Sequence, residues 1–180
     1  MDQSFAVWLL IALALVTANL PFLSERHFLI LPWYPPANRA KTSVVTAWIW
    51  TMVFVAAVVV LGIGMYWWIA SALFTGTGFA AAGILLLRLA VVAIVLCAVF
   101  AWPGLRLKGG TYPKPFAVRF TELLVFYVLL GVLGFALEAS IGNPFAQTWE
   151  FYAITFSLFL VLAYPGFVFR YMLRRRKVSS

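Results

Sequence analysis

Long apolar runs separated by short polar connections dominate the chain. Runs at residues 5–22, 44–69, 79–102, 120–139 and 151–173 each approach or exceed the roughly 20 apolar residues that cross a bilayer core about 30 Å thick. The runs are continuous, unlike the short alternating segments of a membrane barrel, and a helix in hydrocarbon satisfies its own backbone. The pattern predicts an all-α polytopic membrane protein, five transmembrane helices in a single domain over 1–180. Breakers mark the connections. Residues 32–36 read Pro-Trp-Tyr-Pro-Pro, an extended polyproline-like stretch. Residues 103–115 hold Pro103, Gly104, Gly109, Gly110, Pro113 and Pro115, a loop. Gly142-Asn143-Pro144 reads as a tight turn. Gly76-Thr77-Gly78 closes helices two and three into a hairpin, and Tyr164-Pro165-Gly166 predicts a kink or break in helix five.

Composition agrees. Hydrophobic residues make up 65% of the chain and charged ones 10%, against about 25% charged in a soluble domain. A water-soluble domain, a disordered chain and a disulfide scaffold are excluded, and the lone Cys97 has no internal partner. The charge is lopsided, with 13 Lys and Arg against 5 Asp and Glu, a net +8. Every Lys and Arg except Arg88 falls after helix one, after helix three or in the tail, while the N-terminus and residues 70–78 and 140–150 carry none. Basic residues mark the cytoplasmic side, so the N-terminus is expected outside and the C-terminus inside. The excess, including Arg174, Arg175, Arg176 and Lys177, points to anionic lipid at the cytoplasmic face rather than to nucleic acid. Trp8, Tyr66, Trp67, Trp68, Trp102, Trp149, Tyr152 and Tyr171 lie near run ends, where amphipathic rings favour the interface. Asp2 stands where a signal peptide carries positive charge, so the first run is read as an uncleaved span.

Few residues break the apolar pattern. Arg88 lies about 14 Å into its run at ~1.5 Å per residue, where a charge costs about 2.5–3.5 kcal/mol or more. It reads as a structural pair, a snorkelling side chain or a buried partner for an anion, with Glu138 as its expected carboxylate. Tyr127, Gly131, Gly134 and Glu138 are spaced 4, 3 and 4 apart and form one stripe on helix four. The two glycines make that stripe a packing seam on which another backbone can close. Glu138 ends it as an interfacial residue or a proton-accessible carboxylate, and Glu150 is placed near the same surface. Arg119 and Glu122, three apart, are expected to form a surface ion pair. Asn19 is expected to satisfy backbone near Pro21, and Pro165 marks the expected kink or break in helix five. No cofactor or metal is expected. The single histidine, His27, sits in a loop, and no zinc, nucleophile-elbow, phosphate-loop or dinucleotide motif is present.

Two blocks carry a resemblance. One is Ala18-Asn19-Leu20-Pro21-Phe22-Leu23 with Glu25-Arg26. The other starts at Glu122-Leu123-Leu124 and passes through Gly134-Phe135-Ala136-Leu137-Glu138-Ala139, Gly142-Asn143, Gln147 and Trp149-Glu150-Phe151-Tyr152-Ala153. It ends with Leu158-Phe159-Leu160-Val161-Leu162-Ala163, Pro165-Gly166-Phe167-Val168 and Arg170-Tyr171. Over roughly 5–31 and 115–173 the chain resembles a domain-of-unknown-function family of small bacterial inner-membrane proteins. Members are encoded beside the genes of the proton-pumping NADH:quinone oxidoreductase, respiratory complex I. The resemblance implies three spans in about 100 residues, so about 41–110 is extra here, an inserted hairpin. It favours Asn19, Glu138, Gln147, Trp149 and Glu150 as residues to test, and it implies no known activity.

The gene neighbourhood that the resemblance implies points to a non-enzymatic accessory or assembly factor of a respiratory membrane complex, with complex I membrane subunits as partners. The seam on helix four and the lack of catalytic constellations are compatible with it. The rival is a small proton-coupled carrier using Arg88, Glu138 and Glu150. An enzyme acting on lipid or quinone would need a catalytic cluster, and the sequence offers none.

Overall fold

The structure is a computed structural model and describes residues 3–33, 43–71, 79–106, 114–142 and 146–173. It is helical throughout, with no strand among the described residues. Five helices, α1 (Gln3–Leu23), α2 (Val44–Ala70), α3 (Phe79–Arg106), α4 (Phe116–Ile141) and α5 (Trp149–Val168), follow the five apolar runs, and a π-helical turn at Phe169–Leu173 extends α5. All five are long and apolar enough to cross a membrane. The turn residues Tyr34 to Pro36, Gly76-Thr77-Gly78, Gly109, Gly110, Pro113 and Asn143-Pro144 lie outside the described residues, as do Asp2 and the basic tail from Arg174.

Helix α4 is the hub. It packs against α1 and α2; α1 also packs along α5, and α3 leans mainly on α2. Aromatic rings fill the half of the bundle nearest the basic connections. Phe126 stands edge-on to Phe100 (5.2 Å between centroids) and Phe28 (5.6 Å), with Phe22, Leu123 and Phe159 in the same cluster. The other half is aliphatic, built on Met65, Ile69, Leu85, Leu133 and Leu137. Burial of this kind cannot rest on exclusion of water within a bilayer. Helices there are held by close packing and polar contacts, so the few polar side chains carry unusual weight.

Three expectations change. Helix α4 begins at Phe116, not at 120, because the charges in its first turns are paired inside the protein and impose no stop. Helix α3 continues through Pro103 to Arg106, so the loop starts later than its breakers suggest. Pro165 neither breaks nor ends α5, which stays helical across it. Gly142 caps α4 at φ 82°, the left-handed conformation in which glycine carries no side-chain penalty, and its N–H reaches Ala139 O at 3.1 Å.

Candidate functional site

Two polar sites stand at opposite ends of the bundle. The first joins α1, α4, α5 and the 24–28 loop at the end bearing the basic connections. A helix leaves its last carbonyls without partners, and in α1 a residue of α4 supplies them. Arg119 is fully buried. Its Nη1 donates to the carbonyls of Pro21 (2.7 Å), Phe22 (3.0 Å) and Ser24 (3.3 Å), and its Nη2 donates to Glu25 Oε2 at 2.9 Å. A guanidinium is well matched to these acceptors. Its planar fork serves several at once, and its charge complements the negative end of the helix dipole. Glu25 also pairs with Arg170 on the π-helical turn, which ties the end of α5 to the end of α1.

One turn on, Glu122 pairs with Lys114, both side chains being without solvent contact. Glu122 Oε1 accepts the Phe28 N–H at 2.9 Å. Lys114 Nζ donates to Arg26 O at 3.0 Å and lies 4.8 Å from the centre of the Phe28 ring. Burial pushes the Lys114 ammonium below its usual value, against the opposing pull of Glu122. His27 is also held below its ordinary value of 6.5, first by burial and then by Lys114 and Arg119, with Glu25 opposing. The shift disfavours a further positive charge at this end.

Arg119 and Glu122 are therefore not partners in a surface ion pair, as their spacing suggests. Both are buried, and each turns to another segment of the chain. The pairings Arg119–Glu25 and Lys114–Glu122 escape a reading of the sequence. The available signal is their position, two charges within a turn of a strongly apolar run.

Asn19 serves the same junction. Its Nδ2 donates to Leu162 O (2.9 Å) and to Leu15 O (2.7 Å), while its Oδ1 accepts the Gly166 N–H at 2.7 Å. Leu162 O and Gly166 N are the two groups that an α-helical ladder pairs with each other. The amide of α1 has entered the ladder of α5 beside Pro165, which has no N–H of its own. Gly166 makes room for it, since a Cβ there would lie 2.7 Å from Asn19 Oδ1 and 3.2 Å from Asn19 O. Pro21 is buried and contributes its carbonyl to Arg119; Pro165 and Asn19 line a shallow groove between α1 and α5.

The second site lies at the opposite end. A cavity of about 710 Å³ opens between α2, α4 and the start of α5 and brings Glu138 and Gln147 together with Tyr66, Trp67, Phe135 and Tyr152. Glu138 is half-buried and forms no ion pair among the described residues. Arg88 does not reach it. Its Nη1 donates to Trp68 O at 2.7 Å and Ser71 Oγ at 2.8 Å, and its guanidinium stands 5.3 Å from the centre of the Trp68 ring. Arg88 thus finishes the end of α2, a structural use of a costly charge. Glu150 and Trp149 are exposed and do not line the cavity.

The seam glycines behave differently from the expectation. A Cβ on Gly131 would meet nothing within 4 Å, and one on Gly134 only Leu10 Cδ1 at 3.7 Å, so neither admits another backbone of this chain. The close helix approach is at Gly166 instead. Tyr127, on the same stripe, hydrogen-bonds across to α5 through Tyr152 O (3.1 Å) and Thr155 Oγ1 (2.9 Å).

No curated protein and no solved structure matches the chain. One family model matches it over residues 6–109 and again over 85–174, which together span nearly all of it. The five-helix protein with its charge-stapled end belongs to the family described as protein of unknown function (DUF2818).

Proposed function

We propose that the protein is a non-enzymatic accessory or assembly factor of a respiratory membrane complex in the bacterial inner membrane. The gene neighbourhood that the resemblance implies makes complex I the partner. The observation that carries this reading is the use of the buried ionisable groups. Lys114 and Arg119 lie against Glu122, Glu25 and backbone carbonyls of α1, an arrangement that fixes helices rather than facing a substrate. In this reading the N-terminus lies outside, the basic end faces the cytoplasm and its anionic lipid, and residues 41–110 form an inserted hairpin beside the three spans that the resemblance implies. Gly131, with open space over it, offers a partner helix a place to close.

The test is co-purification from native membranes in mild detergent with crosslinking and mass spectrometry. Wild type is expected to recover complex I membrane subunits. Gly131→Leu, which meets no obstacle within the chain, is expected to lose them while still inserting. Normal recovery of partner and normal complex assembly in that variant would overturn the seam as the contact. Recovery of the protein with lipid alone would favour the second reading, a small proton-coupled carrier. That reading draws on Glu138, half-buried in its cavity, and also needs Arg88, which is engaged at the end of α2.

A further inference from the structure

The aromatic cavity at the second end has a composition that the accessory reading does not explain. Its one formal charge is the Glu138 carboxylate. A half-buried carboxylate near a bilayer is costly unless a cation or hydrogen-bond donors compensate it. No such cation comes from the described residues. The connections at this end carry no Lys or Arg in the sequence, and the nearby Arg88 is held by Trp68 O, Ser71 Oγ and the Trp68 ring. The walls are themselves suited to a cation. Tyr66 and Trp67 stand edge to face at 6.0 Å between centroids, and Phe135 and Tyr152 pack together at 6.3 Å between centroids in the same lining. Aromatic faces carry negative potential and attract a desolvated cation, above all an ammonium group. The Gln147 side chain adds an amide oxygen able to accept from an N–H donor.

From this juxtaposition of a carboxylate with no ion pair among the described residues, four aromatic rings and an amide in one cavity, we infer that the site binds an alkylammonium group. Metal ions fit poorly, because a hard divalent cation takes six or more oxygens and the lining offers one carboxylate. Among the described residues no group of His, Cys, Asp and Glu gathers as a metal site. An anion is opposed by Glu138. The lining also includes the apolar Ile63 and Val132, which belong to the spanning helices α2 and α4. The geometry accordingly fits the ammonium of a lipid headgroup whose chains run down those helices, and it fits equally a free amine of the same chemistry.

Purified full-length protein decides the matter. Titration with tetramethylammonium chloride and with ethanolamine, against sodium chloride at equal ionic strength, is followed by tryptophan fluorescence. A saturable response to the amines is expected, weakened about tenfold or more in Glu138→Gln and in Tyr66→Leu. Phosphatidylethanolamine retained by wild type in nanodiscs of mixed phosphatidylethanolamine and phosphatidylglycerol, read by native mass spectrometry, would assign the ammonium to a lipid. Saturation by free amines without such retention would support the site with a soluble ligand. The proposal is overturned if wild type shows no saturable response to either amine, or if both variants titrate as wild type does. It is equally overturned by a carbodiimide crosslink joining Glu138 to a lysine of another protein, which would supply the missing cation. Wild type alone can overturn it, so a variant that fails to fold leaves the outcome clear.

Discussion

The two ends of the bundle treat charge in opposite ways. At the basic end Arg119, Lys114 and Glu122 are withdrawn from solvent, and each meets carbonyls, amides or an opposite charge of the same chain. At the other end Glu138 keeps partial exposure and has no ion pair among the described residues, while Arg88 rests on a carbonyl, a hydroxyl and an indole ring. Desolvation explains the contrast. A fully buried ion is tolerated only when the fold supplies its partners, and removing one of them leaves the other exposed to the whole penalty. Partial exposure relaxes that demand, and a side chain so placed can serve something outside the chain. Charges that organise a membrane protein are thus distinguished from charges available for recognition by their partners more than by their depth.

The sharpest way to break this comparison is Arg119→Ala. It strips the Pro21, Phe22 and Ser24 carbonyls of their buried donor, while the partly exposed Glu25 keeps Arg170, with an expected loss of about 2–4 kcal/mol in unfolding stability. Thermal unfolding in detergent would read it, and a loss below about 1 kcal/mol would show that the basic end is not the fold's anchor. Gly166→Ala is next. The added methyl must displace the Asn19 amide or push α1 and α5 apart, for an expected loss of about 1–3 kcal/mol. Asn19→Ala in the same chain should cost less than the two changes summed, because both act on one contact. Arg88→Leu has the smallest expected effect. Two hydrogen bonds are lost, but so is the cost of inserting a charge, and a net change within about 1 kcal/mol follows. A loss as large as that of Arg119→Ala would make the two ends alike.

The five helices are legible in the sequence because apolar length is a one-dimensional property, and their ends deviate where partners intervene. Helix α4 starts early since Arg119 and Glu122 look interfacial when only local neighbours are known. Their true partners, Glu25 and Lys114, come from outside their own turn. The same blindness hides the continuity of α5. Pro165 announces a lost hydrogen bond, but nothing near it announces that Asn19, at the far end of the chain, enters the ladder one residue later. Asn19 reads from the sequence as a residue that satisfies neighbouring backbone; it does so at Leu15 O of its own helix and also reaches Leu162 O and Gly166 N–H of α5. At the second site Glu138 and Gln147 are both candidates, and the cavity unites them. The glycine stripe shows which residues share a face and not what stands opposite, so it does not reveal that no helix of this chain closes on Gly131. Gly131 faces open space.

The Asn19 clasp also bears on biosynthesis. A chain enters the membrane from its N-terminus, so α1 is made first and α5 last. When α5 emerges, Gly166 N–H and Leu162 O are completed by a side chain synthesised much earlier, the Asn19 bond to Gly166 spanning 147 positions. Until then α1 itself awaits the guanidinium of α4 at its own end. The first helix is therefore held open for its successors, and the last cannot settle before the first is in reach. A chain lacking α5 would keep the Asn19 bond to Leu15 O but lose those to Leu162 and Gly166 and the Arg170 pair with Glu25, so α5 is the element that completes the polar contacts of the first helix.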